Sequence, residues 1–310
     1  MVLSYCQADV WQEELPPSRG VLLERVRGVD GLLCLLTDPI DDELMAVAGP
    51  QLKVISNHAV GVDNVDVAAA MRRGIPVGNT PGILTDSTAD FAFALLMAAA
   101  RRVVEGHQCV LAGGWKTWGP SFMLGPDIYG ATLGIVGFGR IGKAVARRAS
   151  GFNMRVLYYD PTLKEDAESR TLMAQPVDLD TLLAEADFVS IHTPLTQDTY
   201  HLFDHQVIGK MKPGAILINT ARGAIIDPEA LYQALKEKVL ACAALDVTEP
   251  EPLPPDNCLL TLDNVIITPH IASASKLTRD KMASMAAENL IAGLKGERLP
   301  YCVNEEVYST

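Results

Sequence analysis

Several things are missing from this 310-residue chain, and each absence excludes a class of protein. No run of about eighteen uncharged apolar residues occurs, so no segment reads as a membrane-crossing helix. The longest apolar-rich segment, Phe91 to Ala100, is followed at once by Arg101-Arg102. No basic run exceeds two residues and the formal net charge is −12, which argues against nucleic acid as a partner. The six cysteines (Cys6, Cys34, Cys109, Cys242, Cys258 and Cys302) form no CxxC pair and no ligand cluster. They read as free thiols of a cytoplasmic chain, and no metal site is expected. Residues Met1 to Asp9 lack a basic head and a sustained apolar run, so no secretory signal is expected there.

What is present is sharper. Gly137-Phe138-Gly139-Arg140-Ile141-Gly142 is a glycine loop of the dinucleotide-binding pattern. The apolar stretch Leu133 to Gly137 precedes it as a strand, and Lys143 to Ala149 follows as a helix. A second apolar stretch, Arg155 to Tyr159, ends on Asp160, eighteen positions after Gly142 (160 − 142). Strand, turn, helix, strand and acid come in the order a pyrophosphate site needs. The glycines allow a tight turn, close approach of backbone N–H groups and close helix–strand packing, while the helix N-terminus adds partial positive charge.

About 48% of the residues are apolar, enough for roughly two domains. Because so much chain precedes the glycine loop, the nucleotide domain is expected over residues 84–275, inserted into a second domain built from 1–83 and 276–310. The fold class is α/β, with two Rossmann-like doubly wound domains. Strands are expected at 31–36 and 53–56, with helices at Asp42–Ala48 and Val65–Arg73. A single long helix from Ser87 to Ala112 follows, opened by the capping-box spacing Ser87-Thr88-Ala89-Asp90. Beyond Gly137, strands recur at Arg155–Asp160, Phe188–His192, Ala215–Asn219, Ala241–Asp246 and Asn264–Thr268, alternating with helices as in a parallel sheet. A last helix is expected over Thr278–Lys295.

Ligands of such sheets lie beyond the carboxyl ends of the strands. There the sequence places Arg222, the acidic segment Asp246 to Glu251, and His270, each after a different strand. Taken singly, an arginine or histidine at a strand end is more often a packing or surface residue. Glu251, set between prolines, is open as a solvated loop acid, and Glu249 could be mistaken for it.

Several ordered stretches carry a resemblance to the D-2-hydroxyacid dehydrogenases, and most closely to their glyoxylate/hydroxypyruvate reductase branch. They are Val60-Gly61-Val62-Asp63-Asn64, Gly78-Asn79-Thr80-Pro81, the glycine loop, His192-Thr193-Pro194-Leu195, Asn219-Thr220-Ala221-Arg222-Gly223, Ala244-Leu245-Asp246, Glu251-Pro252 and Pro269-His270. The resemblance implies reduction of a small 2-keto acid, glyoxylate or hydroxypyruvate, to the D-2-hydroxy acid. It implies that His270 is the proton donor, Glu251 its carboxylate partner and Arg222 the group that holds the substrate carboxylate and carbonyl. Backbone N–H groups at Val60 and Gly61 are implied as further grips on that carboxylate. The coenzyme would touch Thr88, Gly137, Gly139, Arg140, Ile141, Gly142, Asp160, Thr193, Pro194, Thr199, Thr220, Ala221, Asp246, His270 and Ala272. A glycine is common in the family where Ala272 stands. Family members also begin with a strand ahead of the segment resembling Ala8–Leu36, so a first strand of the substrate domain is expected to be missing.

A carboxylate at Asp160 accepts hydrogen bonds from ribose hydroxyls and repels a 2′-phosphate, which favours NADH over NADPH; Lys164, nearby in sequence, opposes that preference. Trp115 and Trp118 match a segment whose second tryptophan, in this branch, reaches a neighbouring subunit's site. A homodimer with Trp118 at the substrate is therefore expected. Two alternatives stay open: a dinucleotide-sensing corepressor or scaffold of the same superfamily, and a reductase of a larger keto acid such as 2-ketogluconate.

Overall fold

The structure, a computed structural model, describes residues 1–163 and 166–309. The chain divides into two compact units: 1–84 with 275–310, and 85–274.

The first unit holds a parallel three-stranded sheet, β1 (Gly31–Cys34), β2 (Val54–Asn57) and β3 (Val77–Gly78), in that spatial order. The helix Asp42–Ala48 starts where the Asp41 carboxylate accepts the Leu44 N–H at 2.9 Å, a standard N-cap. The helix Lys276–Leu294 packs back on this sheet: the buried Ser56 hydroxyl donates to Ala286 O at 2.8 Å. Gly293 is required there, because a Cβ would stand 2.4 Å from the Val54 Cβ.

The second unit is built on a seven-stranded, wholly parallel sheet. Its strands are β4 (Thr132–Val136), β5 (Arg155–Tyr159), β6 (Gln175–Pro176), β7 (Phe188–Ile191), β8 (Ile216–Asn219), β9 (Cys242–Leu245) and β10 (Val265–Ile267). The spatial order is β10-β9-β8-β7-β4-β5-β6, so the winding reverses at β4, between β7 and β5. The strands β7 and β8 are buried at every residue. Such continuous apolar runs follow from burial of both faces. One face packs against the helices Thr85–Ala100 and Arg140–Ala149, the other against Leu179–Glu185 and Pro228–Lys236.

The long helix expected over Ser87–Ala112 is broken. The chain forms Thr85–Ala100 and then Val103–Leu111, with Arg102 between them in the left-handed region at φ 51°. A close contact from outside the segment accompanies the break. Gly125 passes so close that a Cβ on it would stand 1.9 Å from Ala100 O. The Arg102 guanidinium then pairs with Glu105 and donates to Leu124 O, which secures the bend.

Candidate active site

The reversal of winding at β4 sets the loops after β4 and β7 side by side. Gly137 sits at φ +89°, and a Cβ there would come within 2.5 Å of Thr193 N. Only glycine suits this position on both counts. Gly142 lies in the first turn of the following helix, where a Cβ would stand 2.2 Å from Gly137 O, so the helix packs tightly on the strand end. Gly139 differs: a Cβ on it would meet no protein atom within 4 Å. It is the N-cap of the helix Arg140–Ala149, and no side chain caps that end. Arg140 is exposed and Ile141 half-buried at this open N-terminus. Uncapped N–H groups facing open space form a cradle for a pyrophosphate.

Asp160, at the end of β5, closes the cradle from one side. Its Oδ2 accepts the Phe138 N–H at 2.9 Å. Its Oδ1 accepts from Thr162 N at 3.0 Å, Thr162 Oγ1 at 2.8 Å and Leu163 N at 3.1 Å. Partial burial opposes ionisation, but these donors outweigh it and hold the carboxyl below its ordinary range. Lys143, one turn into the helix, is engaged by Asp166 and Glu168. Lys164 lies outside the described residues.

Further along the same edge, the Thr220 hydroxyl, just past β8, is buried without a hydrogen-bond partner among the described residues. An orphaned buried hydroxyl beside an open cradle fits a site shaped for a coenzyme. Thr199 instead closes its own turn, accepting from Thr196 N and donating to Pro194 O, both at 2.7 Å. Thr88 is buried inside the helix Thr85–Ala100. His192 hydrogen-bonds Ser190 Oγ at 2.8 Å, and burial pushes its ring down to about 3, so it stays neutral.

The three strand-end groups come together. Asn219 shapes the loop that carries Arg222: its Oδ1 accepts Ala221 N at 2.9 Å and its Nδ2 donates to Arg222 O at 2.8 Å. Gly223 follows because its backbone runs against another loop, where a Cβ would lie 2.0 Å from Thr248 O. His270 Nδ1 is 2.6 Å from Glu251 Oε1, with side-chain exposures of 26% and 34%. Burial works against the Glu251 anion. The His270 hydrogen bond and charge, the Thr248 N–H and the charge of Arg222 overcome it and lower the carboxyl's pKa. Glu249, the acid that could be mistaken for Glu251, meets a different ring: its Oε2 lies 2.7 Å from His201 Nε2.

Asp246 turns inward. Its carboxylate accepts from Thr268 Oγ1 at 2.6 Å, Ile271 N at 2.9 Å and Ala272 N at 2.7 Å. His270 itself takes φ +54°. That conformation is uncommon for a side-chain-bearing residue and concentrates at functional sites.

In the first unit, the loop after β2 presents Val60 and Gly61. Their carbonyls are taken by Asn79 Nδ2 at 2.8 Å and Asn57 Nδ2 at 2.9 Å. Their N–H groups have no acceptor among the described residues. Trp118, in the second unit, is 79% exposed.

The model of the family described as D-isomer specific 2-hydroxyacid dehydrogenase, NAD binding domain, matches residues 93–272. The glyoxylate reductase of Korarchaeum cryptofilum is 57% identical over 97% of this chain and 90% of its own length. The crystal structure of the TT0316 protein from Thermus thermophilus shares 51% identity at a TM-score of 0.87, covering 93% of this chain and 90% of that one. The NADPH-dependent glyoxylate/hydroxypyruvate reductase of Sinorhizobium meliloti shares 34% at a TM-score of 0.80, covering 91% and 87%.

Proposed function

The chain belongs to the D-isomer specific 2-hydroxyacid dehydrogenase family and is a nicotinamide-coenzyme oxidoreductase, and from that premise we propose that it reduces a small 2-keto acid, glyoxylate or hydroxypyruvate, to the D-2-hydroxy acid. The observation that carries this reading is the 2.6 Å pairing of His270 Nδ1 with Glu251 at the strand ends beside Arg222. A bound nicotinamide supplies the hydride that the carbonyl carbon takes up. With Nδ1 facing Glu251, Nε2 is left to give its proton to the carbonyl oxygen and to take it back in the reverse reaction. The ionised Glu251, facing Nδ1, fixes the ring's tautomer. Arg222 offers a planar fork of donors that suits a carboxylate and polarises the adjacent carbonyl. The family resemblance implies the backbone N–H groups of Val60 and Gly61 as further carboxylate donors.

The coenzyme is held, in this reading, by the Gly137–Gly142 cradle, by Thr193 and Pro194, by Thr220 and Ala221, and by Asp160 at the adenosine ribose. NADH is the preferred form, because an ionised Asp160 repels a 2′-phosphate and Lys143 is already engaged by two acids. Exposed apolar side chains at Val103, Val110, Leu111, Trp115, Trp118 and Leu124 support a homodimer formed through this surface. A cytoplasmic setting rests on the free cysteines.

The test is to follow NADH absorbance with glyoxylate, hydroxypyruvate, 2-ketogluconate and other larger keto acids. Turnover greatest with the two small acids supports the proposal. Turnover greatest with 2-ketogluconate reassigns the substrate. No turnover with any acid, alongside intact NADH binding, replaces the reductase by a dinucleotide-sensing scaffold.

A further inference from the structure

The loop that carries Glu251 also carries a second acid with its own histidine. Glu249 Oε2 lies 2.7 Å from His201 Nε2, the two side chains being 29% and 31% exposed (His201 and Glu249). This pairing is as short and as sheltered as the one between His270 and Glu251. We propose that His201 and Glu249 are positioning residues, a second imidazole–carboxylate pair that holds the Glu249–Pro252 loop so that Glu251 meets His270. The inference rests on the reductase reading and adds two residues to it that touch no reacting atom.

Both ends of the brace are anchored to the segment that follows Arg222. His201 takes φ +50°, and its N–H donates to Ala224 O at 2.9 Å. Two residues on, Phe203 exchanges backbone hydrogen bonds with that segment: its N–H donates to Ile225 O at 3.0 Å, and its carbonyl accepts Asp227 N at 3.1 Å. Phe203 is fully buried, so the imidazole stands on a rigid support. The Tyr200 ring stacks on it at 4.0 Å with an interplanar angle of 15°. Asp227 Oδ2 faces His201 Nδ1 from 4.0 Å.

The loop itself needs such an anchor. Prolines fill two of its four positions, and proline has no N–H to donate. The Thr248 hydroxyl donates to Pro250 O at 2.8 Å, a bond within the loop that fixes its shape but not its place. Gly223 brings the Arg222 segment against Thr248 and Glu249, with a would-be Cβ 2.7 Å from Glu249 N. The Arg222 segment, His201, Glu249, Glu251 and His270 thus follow one another along a path of backbone and side-chain contacts. Loss of the His201–Glu249 link breaks this path at the point nearest the acid. A misplacement of about 1 Å in a reacting constellation costs on the order of a hundredfold in rate.

The test compares Glu249→Ala, Glu249→Gln and His201→Ala in the full chain. Hydrogen-bonded imidazole protons are read by NMR far downfield, with loss of a resonance in Glu251→Ala identifying that of His270. Glutamine still accepts an imidazole N–H through its amide oxygen. The expected result is that Glu249→Ala loses both the His201 and the His270 resonances and drops kcat by about tenfold or more. Glu249→Gln keeps the His270 resonance and recovers most of kcat, while the Kd for NADH stays unchanged in both. His201→Ala reproduces Glu249→Ala from the other side and decides the matter if that variant folds poorly. Loss of the His201 resonance alone, with kcat at the wild-type value, overturns the proposal. A wild-type chain without turnover overturns the reductase reading instead, and the resonances still decide whether Glu249 holds Glu251.

Discussion

Asp246 and His270 are joined through both main chain and side chain. The His270 N–H donates to Asp246 O at 2.9 Å, and the Asp246 carboxylate takes the N–H groups of the next two residues, Ile271 and Ala272. The left-handed turn at His270 is therefore held by the end of the neighbouring strand. Asp246 is 1% exposed, so its charge is compensated by these donors and by Thr268. In Asp246→Asn an NH2 group faces donors it cannot accept from. The expected loss is on the order of 1–3 kcal/mol of stability, with a matching fall in Tm. Thermal unfolding with parallel assays checks this: kcat falls more than the amount of folded protein does. A variant with wild-type Tm and kcat contradicts it.

Glu251 links the site to pH. Its pKa is lowered in the folded chain, so it contributes stability above the unfolded value of about 4.3, and that contribution disappears as pH falls through the folded value. Glu251→Gln removes the titrating group. The Tm difference between wild type and variant is expected to shrink as the pH is lowered below about 4.3. At neutral pH the variant should lose about a hundredfold in kcat/KM. A Tm difference that is constant from pH 7 to pH 3 sinks this account of Glu251.

Coenzyme choice is a separate prediction. Asp160→Ser removes the charge and keeps a hydrogen-bonding group. The ratio of kcat/KM for NADH over NADPH should fall by on the order of tenfold, as expected for relief of one like-charge contact near the surface. Both KM values rise as well, because Asp160 also holds the Phe138 N–H. An unchanged ratio moves the discrimination elsewhere.

Trp118, exposed on the isolated chain, tests the dimer proposal. Trp118→Ala is expected to raise the KM for the keto acid severalfold without lowering Tm, an effect of the size seen when an aromatic contact is removed. Light scattering should report a dimer for the wild type. A monomer with unaltered kinetics in the variant removes Trp118 from the substrate site.

Much of the second unit was legible because its determinants are local. Gly137 and Gly142 stand where a backbone comes close, and the unbroken apolar runs of β7 and β8 state that both faces are covered. Long-range contacts left no such mark. The break at Arg102 goes with Gly125 packing on Ala100 O, and nothing within 87–112 announces it. The edge strand β6 is two residues, Gln175 and Pro176, with no apolar signature. At the site, the family resemblance singled out Glu251 over Glu249, but nothing in the sequence announced that Glu249 meets His201. The inward role of Asp246 was equally hidden, since a strand-end acid reads the same whether it faces solvent, a ligand or the turn beside it.

The most direct test of the whole account is His270→Gln, assayed for NADH oxidation by glyoxylate at neutral pH with the Kd for NADH measured in parallel. The prediction is that kcat falls by about a hundredfold or more while the Kd for NADH stays close to the wild-type value. A variant that turns over glyoxylate as fast as wild type means that another group delivers the proton, and the pairing of His270 with Glu251 is then not the centre of the chemistry.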